Sequence, residues 1–104
     1  MSKILRVAAL ACLPLFTLPA QAAGDAAAGA AKAAACIGCH GVDGNSVVPM
    51  FPKLAGQHAA YLETSMKAYQ SQERKGGNAV QMYGMVAALS DQDIADLAAF
   101  FSSK

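Results

Sequence analysis

Cys36-Ile37-Gly38-Cys39-His40 is the stretch on which the reading of this chain turns. Two thiols stand two residues apart, with an imidazole directly after the second. A redox disulfide of the thioredoxin type would use the same pair, but beside a βαβ pattern, and no segment here alternates as a strand. A zinc site needs four ligands, commonly from two such pairs. The third cysteine, Cys12, lies in an apolar leader, and the only other histidine is His58. A plain structural disulfide leaves His40 without a role. Covalent haem attachment uses all three side chains. Each thiol can add across one vinyl group to give a thioether, a two-residue gap presents both sulfurs to one edge of the porphyrin, and His40 follows closely enough to set its ring under the iron.

On the N-terminal side the chain begins as an export signal. Lys3 and Arg6 precede an apolar run of 12 residues, Val7 to Leu18, broken at Pro14, and Ala20-Gln21-Ala22 has the small-x-small form of a cleavage site. Residues 1–22 are expected to be removed after Ala22. The run is well short of the ~20 residues that cross a bilayer, so no stable membrane insertion is expected afterwards. Lipidation at Cys12 fits less well, because the apolar run continues past it. Loss of Lys3 and Arg6 leaves 6 basic against 7 acidic residues. Such a near-neutral domain, with no basic stripe, is not built to bind nucleic acid.

Residues 23–104 read as one domain without repeat or linker. Asp25 caps an alanine-rich helix over residues 26–35, interrupted by Gly29, which costs up to about 1 kcal/mol against alanine and marks a close approach by another element. Gly41 to Gly56 carries Gly44, Pro49 and Pro52 and reads as an irregular loop. Leu62, Met66 and Tyr69 give helical spacing from His58 to about Gln72, ended by Gly76-Gly77. Ser90 caps a final helix to about Ser102, with Asp91 and Asp93 in its first turn and Ile94, Leu97, Ala98 and Phe101 on one face. The class is all-α with long loops. The composition is 55% hydrophobic, yet rich in alanine, with no Trp. Small domains with so little bulk need a staple, and an apolar cofactor would serve as one.

From Ala23 to Lys104 the chain resembles the class I cytochromes c, in particular the halves of the dihaem cytochromes c4 and the small cytochromes c553. The resemblance rests on Gly24-Asp25-Ala26, on Cys36 to Ser46, on Pro49-Met50-Phe51-Pro52-Lys53-Leu54-Ala55-Gly56-Gln57, and on Met82-Tyr83-Gly84-Met85 leading to Leu89 through Phe101. It implies that the N- and C-terminal helices cross over one covalently bound haem, with Gly29 meeting Phe100. It implies that Cys36 and Cys39 hold the haem, that His40 is the proximal iron ligand, and that Pro49 offers its carbonyl to the far ring nitrogen of His40. A methionine before the last helix is the implied distal ligand. Met82 is favoured over Met85 by its distance from Leu89 and by its expected place on a loop crossing the haem face, which leaves Met85 as apolar filler. His58 is a weaker candidate for that position.

These residues imply an exported monohaem carrier of single electrons between respiratory redox proteins in the periplasm, not an enzyme, monomeric or homodimeric. With both axial positions filled, the iron changes oxidation state without exchanging a ligand. Two other readings remain: an electron-transfer subunit docked on a periplasmic enzyme, and a ligand-binding haem module with an open distal site.

Overall fold

The computed structural model describes residues 8–14 and 23–104. Residues 8–14 carry no regular secondary structure. The rest of the expected leader, with its cleavage point after Ala22, lies outside the described residues. No helix among the described residues is long and apolar enough to cross a membrane. The described chain forms five helices and no strand: α1 (Ala26–Lys32), α2 (Ala34–His40), α3 (Ala59–Gln70), α4 (Ala79–Val86) and α5 (Asp91–Ser102).

The Asp25 carboxylate accepts hydrogen bonds from the Ala27 and Ala28 amides at 2.8 and 3.1 Å, so α1 starts where its cap requires. The single helix expected over 26–35 is instead two. At Ala33 (φ −77°, ψ −3°) the amide bonds back three residues, to the Ala30 carbonyl, and the methyl group is buried. That bend lets α2 leave the α1 axis and carry the Cys-x-x-Cys-His run on its own segment. α5 starts with a reciprocal capping box: Ser90 Oγ accepts from the Asp93 amide and Asp93 Oδ2 from the Ser90 amide, both at 3.0 Å.

Residues 79–86 are helical, which corrects the expectation of a loop around Met82. The stabilising contacts are tertiary. Ala79 and Val86 are buried, and α4 packs on α3. Gln70 of α3 donates from Nε2 to the carbonyls of Val86 and Leu89 at 2.9 and 2.8 Å. The Val86 carbonyl, at the end of α4, also accepts from the Leu89 amide, and Leu89 lies in the connection to α5, so one side chain of α3 ties down both.

The dominant packing is α1 against α5. A Cβ at Gly29 would fall 2.7 Å from Phe100 Cβ and overlap the Asp96 carbonyl, so only glycine admits this crossing. The core beneath it is small: Ile94, Leu97 and Ala98 are at most 1% exposed, and Phe100 and Phe101 meet edge to face at 4.9 Å between centroids. The long 41–56 loop is tied down at Gly44, whose carbonyl accepts from Leu54 and Ala55, and at Gly56, whose amide donates to Phe101. Gly44 has φ +77° with Phe101 and Ala55 close by, a position no larger residue could take without strain.

A polar clamp joins the same two helices. Asp96 is 3% exposed and accepts from Lys32 Nζ at 2.7 Å, from the Asp25 amide at 2.9 Å and from Gln92 Nε2 at 2.8 Å. Lys32 also pairs with Asp93 at 2.8 Å. The Lys32 hydrogen bond, followed by those from the Asp25 amide and Gln92, lowers the Asp96 pKa to about 2.

Two expectations follow from this packing. Gly29→Leu should lower stability by a few kcal/mol, the range for overpacking, as read by denaturant unfolding; unchanged stability would mean that the helices do not cross there. Asp96 has its folded pKa below the unfolded value near 3.9, so its contribution is present above that pH and is lost as pH falls towards about 2. Asp96→Asn should therefore lower the Tm at neutral pH, and its deficit against wild type should shrink between about pH 4 and about pH 2. A deficit that stays constant over that range would show that the charge of Asp96 is not what holds the clamp.

Candidate functional site

Cys36, Cys39 and His40 occupy positions i, i+3 and i+4 of α2, which places them on one side of the helix. All three line a cleft of about 500 Å³, within the range of small-molecule and cofactor sites. Leu54, Leu62, Met66, Leu97 and Phe101 supply much of its apolar wall, and Met82 and Met85 enter from α4. Both cysteines are free thiols, and burial pushes the Cys36 thiol pKa up.

His40 is 7% exposed, and its Nδ1 lies 2.8 Å from the Pro52 carbonyl oxygen. A carbonyl can only accept, so Nδ1 carries the hydrogen and Nε2 keeps its lone pair, the state in which imidazole binds a metal. The carbonyl acceptor is therefore that of Pro52, which corrects the expectation of Pro49. The reason lies in the local turn. Ser46 Oγ bonds both the amide and the carbonyl of Val48, and the Phe51 amide bonds the Val48 carbonyl, which leaves Pro49 exposed and brings Pro52 to the ring. Two prolines three residues apart are interchangeable on paper, and no signal in the sequence separates them.

Met82 is partly buried, whereas Met85 is 47% exposed. Three residues apart on a helix, they share a face, and both line the cleft. His58 is exposed at the start of α3 and is not part of the lining. Among the described residues no three His, Cys, Asp or Glu side chains gather into a metal-binding group. Sequence reasoning missed Met66, Tyr69 and Arg74 as cleft residues. The first two had served only as helical spacing, and Arg74 sits in a polar stretch without periodicity.

An all-helical domain that sets two thiols and a metal-competent histidine in an apolar cleft is the architecture of a class I c-type cytochrome, and the residues present fit a haem. The cytochrome c family model matches residues 26–104, and the chain belongs to that family. Cytochrome c-554(548) of Halomonas halodenitrificans is 56% identical over 82 residues, covering 79% of this chain and 99% of that one. Cytochrome c4 of Azotobacter vinelandii is 52% identical, covering 82% of this chain and 43% of its own length. A protein of Stutzerimonas stutzeri named thiosulfate dehydrogenase electron acceptor is 35% identical, over 65% of this chain and 32% of that one. Among solved structures, reduced recombinant cytochrome c4 from Pseudomonas stutzeri superposes with a TM-score of 0.70 at 48% identity, over 79% of this chain and 46% of the other. The chain thus spans nearly all of one relative and less than half of the cytochromes c4. Its fold is the class I cytochrome c fold, its cofactor is one covalently bound haem c, and its functional class is electron transport.

Proposed function

We propose that this chain is an exported monohaem carrier that shuttles single electrons between redox proteins of the periplasm. Cys36 and Cys39 would form the thioethers, and His40 Nε2 and Met82 Sδ would hold the iron. The observation that carries the reading is the fixed His40 ring: Nδ1 is held at 2.8 Å by the Pro52 carbonyl, with both thiols on the same face of α2. That carbonyl holds the ring in one orientation. The haem supplies a one-electron ferric/ferrous couple. The chain's own contribution is positional and electrostatic. Thioether sulfur from Met82 favours the ferrous state, and the apolar walls disfavour the extra charge of the ferric state, so both raise the potential. With both iron-binding side chains supplied by the chain, no place would be left for a substrate, which argues for a carrier and against an enzyme. A second reading, a carrier paired with one periplasmic enzyme, is favoured by the likeness to a thiosulfate dehydrogenase electron acceptor. Co-purification of the native protein with an enzyme would support it.

The attachment is tested by denaturing electrophoresis with haem staining. Colour should stay with the chain, Cys36→Ala or Cys39→Ala should weaken its retention, and complete release from the wild-type chain would sink the assignment. The distal ligand is tested by paired substitution. Met82→Ala should abolish the weak far-red sulfur-to-iron band of the ferric protein, lower the reduction potential and admit carbon monoxide. Met85→Ala should keep the band and cost mainly stability. Exchange of the two outcomes would make Met85 the ligand.

A further inference from the structure

α4 carries both cleft methionines, yet little in its own sequence holds it helical. It has eight residues, fewer than the ~12–15 at which an isolated helix becomes marginally stable in water. Gly84 stands in its interior, where glycine disfavours a helix. The Asn78 side chain makes no capping hydrogen bond to it among the described residues. Its placement therefore depends on tertiary contacts, and Gln70, the last residue of α3, supplies two of them. Gln70 Nε2 lies 2.9 Å from the Val86 carbonyl oxygen and 2.8 Å from that of Leu89. Both partners are carbonyls, so the group that faces them is the amide NH2, with one hydrogen for each. Val86 follows Met82 by one turn on the same side of α4. Leu89 stands directly before the Ser90 cap of α5. Gln70 thus ties the joint between α4 and α5 to α3, whose Leu62 and Met66 pack in the core.

Met82, Val86 and Leu89 line the cleft, and Gln70 does not. Whatever Gln70 does at the site therefore passes through the backbone it holds. We propose that Gln70 is a positioning residue for Met82: its amide fixes the end of α4, and so keeps the Met82 sulfur presented to the cleft. This rests on the reading of Met82 as the distal ligand and deepens it, because it names what keeps that ligand in place. The physical reason is local opening. Segments with few buried contacts open at lower free energy than the whole domain, and α4 buries only Ala79 and Val86. The Gly29 crossing and the Asp96 clamp are built from α1, α5 and the Asp25 cap, without Gln70. Loss of the two Gln70 hydrogen bonds should therefore release α4, and Met82 with it, while the α1–α5 core stays folded.

The test heats the ferric, haem-bearing protein and follows the far-red sulfur-to-iron band together with helix content by far-ultraviolet circular dichroism. A second measurement is the rate at which the ferrous protein binds carbon monoxide. The proteins compared are wild type, Gln70→Glu, Gln70→Leu and Gln70→Lys. Gln70→Glu keeps the shape but has no hydrogen to give either carbonyl, Gln70→Leu removes the donors without adding charge, and Gln70→Lys keeps donors at similar reach. In the Glu and Leu variants the band should be lost at a lower temperature than in wild type while the melting of the helices shifts little. Carbon monoxide should bind about tenfold faster, the scale set by losing hydrogen bonds of this kind. Gln70→Lys should restore both readouts towards wild type. Band loss and helix melting that move down together in the Glu and Leu variants would make Gln70 a support of the whole fold and overturn the proposal. A band and a binding rate like those of wild type in both variants overturn it too, as does a Lys variant that behaves like the Leu variant. A wild-type chain without the far-red band overturns the Met82 reading itself, so the two failures are distinct.

Discussion

At Gly29 the backbone of α1 rests directly on the Asp96 carbonyl and the Cβ of Phe100, and the rest of the molecule is arranged around that contact. Because nothing projects from position 29, the two helices approach closely enough for Lys32 and the Asp25 amide to reach one carboxylate on α5. The apolar core is slight, so this crossing and its polar clamp carry much of the specification of the fold. Asp96 is nearly buried, but it accepts from three donors, one of them cationic, and that full set of partners is what makes a buried carboxylate tolerable.

The crossing also decides where Cys36, Cys39 and His40 stand. α1 ends at Lys32, and the bend at Ala33 turns α2 so that Cys36, Cys39 and His40 line the cleft, with Leu97 and Phe101 of α5 forming another part of its wall. The 41–56 loop has no regular structure, but the Gly44 carbonyl closes it on the Leu54 and Ala55 amides and the Gly56 amide ties it to the Phe101 carbonyl of α5. Those anchors bring the Pro52 carbonyl to His40. A loop without repeating hydrogen bonds can position one acceptor accurately because its ends are held by the core.

α3 and α4 complete the site as a unit. Gln70 holds the end of α4 through two carbonyls, Tyr83 holds the backbone of Arg74, and Tyr69 supports its guanidinium. The face that presents the methionines is therefore built together with the segment that presents the positive charge.

Most of the fold was legible in local chemistry. Asp25 and Ser90 announced two helix starts, Gly29 announced a close approach, and Cys36-Ile37-Gly38-Cys39-His40 announced the cofactor, because caps, glycine sterics and thiol spacing act over a few residues and need no distant partner. The break at Ala33, the helix under Met82 and the choice of Pro52 over Pro49 were not legible. The first two depend on contacts between residues far apart in sequence, α1 against α5 and Gln70 against Val86 and Leu89; the third depends on how an irregular loop, turned at Ser46, brings the Pro52 carbonyl to His40. Arg74 belongs to the same group, since a lone cation in a polar stretch has no meaning until the tertiary structure sets it on Tyr69, at the rim of a cleft lined by no acid. The sequence by itself determined the chemistry and the helices that carry it; only the tertiary structure decided which carbonyl meets His40 and which side chains share its cleft, because those contacts join residues whose partners local propensity does not select.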